Sequence, residues 1–69
     1  MNYRVFARIN KGDDTVEIGG VEAPNDRLAR VYAFRMYDEE DWDYLAVVHE
    51  DHVIEVDVEN PPTVPGEEA

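Results

Sequence analysis

The start of the chain carries the feature that most restricts its fold: two runs of alternating apolar and polar residues joined by a short turn. The first run, residues 3–9, places Tyr, Val, Ala and Ile on one face and puts Phe6 between two arginines on the other. The second run covers residues 15–23, and the intervening residues 10–14 include the Asn, Gly and Asp typical of turns. This pattern predicts a β-hairpin, because alternation with a period of two gives each strand one apolar face.

The second run contains the pair Gly19-Gly20, across which the alternation slips by one residue. A slip that keeps the apolar face intact predicts a β-bulge, in which glycine would supply a positive φ angle. Pro24 then ends the strand, and Asn25 or Asp26 is predicted to cap a helix. The junction lacks the glycine spacing and the lysine of phosphate-binding loops, so we expect it to direct the chain into a helix rather than bind a nucleotide.

Residues 26–40 have helical spacing. One stripe of the helix is predicted to pack on the sheet, and it contains Leu28, Ala29, Tyr32, Ala33 and Met36. Away from this stripe lie three further large apolar residues, Val31, Phe34 and Tyr37, among arginines. This second surface is either an interaction surface or ordinary scattered exposure. As an interaction surface, its predicted contact residues are Arg30, Phe34 and Tyr37.

Two more strands are predicted after the helix. Residues 42–49 are apolar on both faces from Leu45 to Val48, which favours a central strand. Residues 53–59 alternate strictly between aliphatic and acidic side chains, which favours an edge strand with an acidic outer face. The final segment, residues 60–69, contains three prolines and is predicted to be disordered.

The predicted fold class is therefore a small α+β domain of order β-β-α-β(-β), with one helix packed on a mostly antiparallel sheet. It comprises residues 1–59, followed by the Pro-rich acidic tail of residues 60–69. One sheet face would carry the helix, and the other would be left partly apolar, with Phe6 as a candidate contact. We expect a second copy to cover this face in a homodimer.

The charge of the chain restricts its partners. It has 17 acidic and 6 basic residues, a formal net charge of −11, and no cysteine. Nucleic acid is not an expected partner, because phosphate binding needs clustered cations. The acidity resembles that of proteins from salt-loving microbes such as haloarchaea, which predicts weaker folding at low salt; a basic partner protein and mimicry of nucleic acid are the alternatives. With no apolar run long enough to span a membrane and no signal peptide, a cytoplasmic protein is expected.

No catalytic, cofactor or metal site is predicted. Serine and cysteine are both missing, which excludes acyl-transfer nucleophiles of those types. The string HEDH, residues 49–52, is one residue short of the zinc motif H-E-x-x-H. The acidic residues 38–43 lack the frame of a calcium loop. The residues by themselves therefore favour a binding or assembly module over an enzyme.

The chain resembles the PaaB family, the small phenylacetate-degradation protein B, over most of residues 3–48. Family members share a strand ending in Val-Phe-x-Arg, a hairpin, a Gly-Ser-x-x-Ala-Pro-Asp-like junction, an Ala-rich helix ending in Tyr, and a Trp-Val-Val-like strand. The matching positions here are Val5, Phe6, Arg8, Gly19, Ala23, Pro24, Asp26, Ala29, Ala33, Tyr37, Val47 and Val48. The chain departs from the family at Gly20, where serine is usual, and at Asp38, Glu39 and Glu40, where basic residues are usual.

This resemblance implies a non-catalytic accessory subunit of the phenylacetyl-CoA epoxidase, a multicomponent di-iron monooxygenase. In that system the iron and substrate sites lie in other chains, and PaaB bridges and supports the assembly. The expected partners are thus the catalytic oxygenase subunits. Two alternatives remain from the residues: a free-standing dimeric α+β domain that binds a small molecule, and an acidic regulator of a basic partner protein.

Overall fold

A computed structural model describes residues 1–66 of the chain. The strands are β1 (Asn2–Arg8), β2 (Val16–Glu22) and β3 (Tyr44–His49), the helix α1 is Asp26–Met36, and a 3₁₀ turn, Glu50–His52, follows β3. The strands form one antiparallel sheet in the order β2-β1-β3, and α1 packs on one of its faces. The predicted α+β class and the order β-β-α-β are confirmed.

The central strand is β1, so the prediction that the third strand is central was wrong. The hairpin places β2 against one edge of β1, and the crossover through α1 returns β3 to the other edge. β3 is apolar on both faces although it is an edge strand of the described sheet. Val47 lies opposite buried Val5 on the helix side, whereas Ala46 lies opposite half-buried Phe6 on the open side.

The predicted bulge forms in β2, but not for the expected reason. Val5 pairs with Gly19 and Phe6 pairs with Glu17, which leaves Ile18 as the extra residue. Neither glycine of the pair has a positive φ angle, so that part of the prediction was wrong. Glycine is needed instead because Tyr37 crosses the strand: a Cβ atom on Gly19 would overlap the Tyr37 hydroxyl and lie 2.8 Å from its Cζ.

Tyr37 also bonds to the backbone of the next glycine. The amide of Gly20 donates to the Tyr37 hydroxyl at 3.0 Å, and that hydroxyl donates to the Gly20 carbonyl at 2.9 Å. Tyr37 is the C-cap residue of α1, so these bonds attach the end of the helix to β2. The glycine pair thus orients the helix end on the sheet.

The ends of α1 are set by named contacts. Asn25 is the N-cap, and its Oδ1 accepts the amide of Leu28 at 2.9 Å. At the other end, the indole Nε1 of Trp42 donates to the carbonyl of Tyr37 at 2.7 Å. The helix stops at Met36, four residues before the predicted end at 40. Acidic side chains at a helix C-terminus oppose its dipole, which explains why the acidic residues stay outside.

The core is thin and consists mostly of small residues. Its members are Tyr3, Val5, Ala7, Val21, Ala23, Ala29 and Ala33. From the predicted helix stripe only Ala29 and Ala33 are buried, and Leu28 is half-buried. Tyr32 and Met36 are exposed, contrary to the prediction. Alanine lets the helix approach the sheet closely, which leaves longer side chains at the edges of the contact.

The expected fourth strand does not form. Residues 53–59 pair with no strand of the described sheet, and Ile54 and Val58 are 90% and 81% exposed. The radius of gyration is 16.0 Å, whereas a compact domain of this length would have about 11 Å. The chain after the 3₁₀ turn therefore projects from the body.

The tail predicted to be disordered covers residues 60–69. Residues 60–66 form no helix or strand, and residues 67–69 lie outside the described residues. Within residues 1–66, no helix is long and apolar enough to cross a membrane.

Candidate functional site

A groove between α1 and β3 combines apolar and charged residues. Its volume is about 860 Å³. Val31, Phe34 and β3 residues 45–47 line its apolar floor, and Arg27, Arg30 and Arg35 stand at its rim. We call this surface the arginine groove.

The sequence builds the groove from two periodicities. On α1, Arg27, Arg30, Val31 and Phe34 are three or four residues apart, so their side chains lie along one flank of the helix. On β3, Leu45 and Val47 point to the helix side of the sheet. They are only half-buried because α1 packs through its alanines and does not reach the outer edge of β3.

The side chains of the three rim arginines form no salt bridge and no hydrogen bond within the described part of the chain. The arginines on the opposite sheet face differ: Arg8 bonds to Asp43 at 2.7 Å, and Arg4 lies 3.9 Å from Glu17. Half of the six basic residues of a strongly acidic chain are thus collected around an apolar floor, with no acidic partner among residues 1–66. Such a surface suits a ligand that is both apolar and anionic, since a guanidinium binds carboxylates in a defined geometry.

The four predicted interface residues fall into three places. Arg30 and Phe34 both line the arginine groove, and Phe34 is 73% exposed. Phe6 is half-buried on the opposite face of the sheet. Tyr37 is half-buried and held by its bonds to Gly20, so its hydroxyl already has intramolecular partners. The contact of each with a partner protein stays a prediction.

Sequence reasoning did not identify the contribution of β3 to this groove. The apolar residues 45–48 favour a central strand in the sequence, so they gave no indication that Leu45 and Val47 border a groove. The spacing of Arg27, Arg30 and Phe34 by three and four residues was the signal in the sequence that places them on one flank of the helix. Nothing in the spacing showed that the adjacent strand would be an edge strand.

A second, smaller cavity of about 400 Å³ lies where β1 meets the start of α1. The Tyr3 hydroxyl donates to Asp26 Oδ1 at 2.7 Å. The pKa of Tyr3 is raised to about 12, first because Asp26 accepts this hydrogen bond, and further by burial and by the negative charge of Asp26. The hydroxyl is therefore kept protonated and engaged, and it attaches β1 to the helix.

Two histidines lie beside Tyr3 in the same cavity. The ring of His49 is in edge contact with Tyr3 at 5.0 Å between centroids, and His52 is 5.6 Å from His49. The Nδ1 atom of His49 accepts the amide of Asp51 at 3.0 Å, so it already caps the 3₁₀ turn. Within residues 1–66, no three histidine or acidic side chains come together in an arrangement that could hold a metal ion.

No family model matched the sequence, and no curated protein or solved structure showed significant similarity to the chain. The resemblance to the PaaB family therefore stays a prediction from the motifs quoted above.

Proposed function

We propose that this chain is a non-catalytic interaction subunit that binds other proteins through the arginine groove. Following the resemblance to PaaB proteins, the proposed partners are the catalytic subunits of a phenylacetyl-CoA monooxygenase in the cytoplasm. One observation carries the proposal: α1 buries two alanines against the sheet and leaves its large apolar side chains exposed. Four of the seven core residues are alanine, whereas Phe34, Tyr32 and Met36 of the same helix are exposed.

This distribution is unfavourable for an isolated domain and favourable for a docking surface. Burying one large apolar side chain contributes about 1.5–3 kcal/mol, which the isolated chain does not gain from Phe34. Aromatic residues and arginine are also the types that dominate binding energy at protein interfaces. The combination of Phe34 with three arginines at the rim of the groove supports a partner segment with apolar and acidic side chains.

The same groove favours one second candidate, a domain that binds a small anionic molecule. Its volume lies within the range of about 300–1,000 Å³ that is usual for ligand pockets. An aromatic coenzyme A thioester would place its ring on the apolar floor and its phosphates at the arginine rim. A small-molecule site would bind such a ligand without any second protein.

Affinity purification of the tagged chain from its native cells tests the proposal. The wild type should retain oxygenase subunits, identified by mass spectrometry and then reconstituted from purified proteins. Phe34→Asp should lose them, because the aromatic contact is removed and the new carboxylate would compete with the partner for the rim arginines. Val64→Asp, which changes an exposed valine outside the groove, should retain them.

Two results would contradict the interaction subunit. One is purified wild-type chain that fails to bind purified oxygenase subunits. The other is a thermal shift with phenylacetyl-CoA that Arg30→Ala removes, while no protein partner binds; this result would favour the small-molecule domain.

A further inference from the structure

The two edges of the described sheet differ in how well they are protected from pairing with another strand. β2 is interrupted by the bulge at Ile18, carries Glu17 and Glu22, and holds the Tyr37 hydroxyl on its backbone. Bulges and charged side chains are the features by which natural sheets prevent addition at an edge. β3 has neither, because its register with β1 is continuous and its sequence, YLAVVH, contains no lysine, arginine, acidic residue or proline.

β3 thus has the composition of a central strand at the position of an edge strand. Leu45 and Val47 face the helix side of the sheet, Ala46 and Val48 face the open side, and all four are only half-buried. Every second residue of an edge strand directs its N–H and C=O groups away from its single neighbour. A fourth strand would bind these backbone groups and cover the apolar side chains on both faces.

The arginine groove lies beside this edge and restricts the side chains that an added strand presents to α1. Arg27 and Arg35, eight residues apart, are separated by about 12 Å along the helix axis. Val31 and Phe34 lie between them and form the apolar floor. In a strand, residues i and i+4 share one face and are about 14 Å apart. One face of a strand therefore matches the groove when an acidic residue stands at each end and an apolar residue stands between them.

The charge of the groove favours such acidic residues. The side chains of its three arginines have no acidic partner among residues 1–66. A guanidinium binds a carboxylate through two parallel hydrogen bonds, so each arginine offers a directed contact. Positive charge is also scarce in a chain of net charge −11, which makes the groove the described surface suited to an acidic segment.

The concave surface extends along β3, which suits an extended occupant. Arg30 and Val47 line both the arginine groove and the smaller cavity beside His49 and His52, so the two cavities adjoin. Together they follow the strand from Leu45 to its end. The six residues of β3 correspond to about 20 Å, the length of an ordinary strand.

A second copy of the chain does not provide this complement by pairing its own β3 at the edge. An antiparallel β3–β3 pair has a twofold axis perpendicular to the sheet, so both helices lie on the same side of the joined sheet. The arginine rims of the two copies would then face each other, and like charges brought together oppose association. The complementary occupant is an acidic strand from a different protein.

We propose that the arginine groove binds an extended segment of a partner protein, which adds to the outer edge of β3 as a fourth strand and presents the pattern acidic-x-apolar-x-acidic to α1. This inference rests on the proposed function in one respect, that the groove binds protein. It adds the conformation of the partner segment, the edge to which it binds and the pattern of its side chains. Backbone bonds to β3 would supply affinity, and the groove would select the side chains.

A pair of capped peptides tests the pattern. In Thr-Glu-Thr-Phe-Thr-Glu-Thr the acidic and aromatic side chains share one face of a strand. Thr-Thr-Glu-Phe-Glu-Thr-Thr has the same composition but places them on opposite faces. Each is titrated to about 5 mM into the isotopically labelled full-length chain, at a salt concentration where circular dichroism shows the chain folded. The first peptide should shift the amide signals of residues 45–49 to saturation, and the second should bind at least about tenfold more weakly.

N-methylation of the first peptide tests the backbone pairing. One form is methylated at its glutamates and phenylalanine, and the other at its three inner threonines and first threonine. Alternate N–H groups of a strand point to opposite edges, and only one edge would pair with β3. One methylated form should therefore lose at least about tenfold in affinity, while the other binds like the parent peptide.

Variants of the chain test the charge contacts. Arg30→Glu and Arg35→Glu should each weaken binding of the first peptide by at least about tenfold, because each replaces an attraction by a repulsion at one end of the groove. Lys11→Glu is the matched control, since it changes the net charge equally at an exposed residue of the hairpin turn. It should weaken binding by less than about twofold. The amide spectrum of each variant shows whether it is folded.

Four results would overturn the inference: no shift of the β3 signals at about 5 mM peptide, equal binding of both peptides, equal effects of the two methylated forms, and equal effects of Arg30→Glu and Lys11→Glu. A dimer of the free chain that protects the β3 amides from hydrogen exchange would also overturn it. The affinity purification above tests the proposed function separately. Peptide binding without retained oxygenase subunits would support the inference and contradict those partners, and retained subunits without peptide binding would do the reverse.

Discussion

Two regions of this protein contain the same kind of amphipathic strand pattern in their sequence, and they differ in what surrounds it. In β2, the bulge at Ile18 and the glycines that follow receive Tyr37, so backbone and side chain are engaged within the chain. In residues 53–59, which we call the arm, the alternation is more regular, yet the aliphatic side chains face solvent. A strand pattern therefore shows what a segment can pair with, whereas the elements around it decide whether pairing occurs within one chain.

The largest expected effect comes from comparing the same substitution, valine to alanine, in the sheet and in the arm. Val5 is fully buried in β1, and Val5→Ala should lower the free energy of unfolding by about 2–3 kcal/mol, through lost burial and the cavity left behind. Val56→Ala in the arm should change it by less than about 0.5 kcal/mol under conditions where the chain is monomeric. Denaturant unfolding at low protein concentration measures both. Equal losses would show that the arm is packed in the monomer.

The next effect tests the contact of Tyr37 with the glycines. Gly19→Ala should cost about 1–3 kcal/mol, because its Cβ would overlap the Tyr37 hydroxyl. In a Tyr37→Ala background the same substitution should cost much less, since the obstructing ring is gone. A double-mutant cycle from thermal unfolding gives the coupling. Additive effects would mean that the ring does not lie over Gly19.

A smaller effect is expected at the helix cap. Asn25→Ala removes the acceptor of the Leu28 amide and should cost about 1 kcal/mol. Asn60→Ala, in the segment that follows the arm, has no helix to cap and should leave stability unchanged. Chemical denaturation monitored by helical circular dichroism provides the measurement. A neutral Asn25→Ala would indicate that another group caps α1.

The smallest effect is a pH dependence confined to alkaline solution. The raised pKa of Tyr3, about 12, means that the folded state favours the protonated hydroxyl more than the unfolded state does. The stability from this group is therefore complete below the ordinary tyrosine pKa of about 10 and is lost as the pH rises through about 12. The difference in melting temperature between wild type and Tyr3→Phe should narrow over this range.

Local features of this chain were predictable because each depends on residues close in sequence. The hairpin follows from alternation around residues 10–14, and the bulge follows from the slip at the glycine pair. The cap follows from Asn25 before a helical pattern. The candidate contact residues Arg30 and Phe34 were found for the same reason, because helical spacing brings them to one flank.

Features that depend on distant residues were not predictable in the same way. The apolar run of β3 suggested a central strand, but the hairpin and the crossover gave the central position to β1. The reason for glycine at position 19 is the ring of Tyr37, eighteen residues away in the sequence. The arginine groove exists because α1 leaves the outer edge of β3 uncovered, which no spacing on either element shows.

The sequence by itself determined the small α+β class, the order of its elements, the ends of its first strands and the start of its helix. Those properties follow from backbone preferences and from side-chain periodicity, which act over a few residues. Only the tertiary structure decided which strand is central, which side chains form the thin alanine-rich core, and which amphipathic segment stays outside the described sheet. Those outcomes depend on how closely whole elements approach one another, and here Ala29, Ala33 and Gly19 allow the close contacts that leave Phe34 and the arm outside.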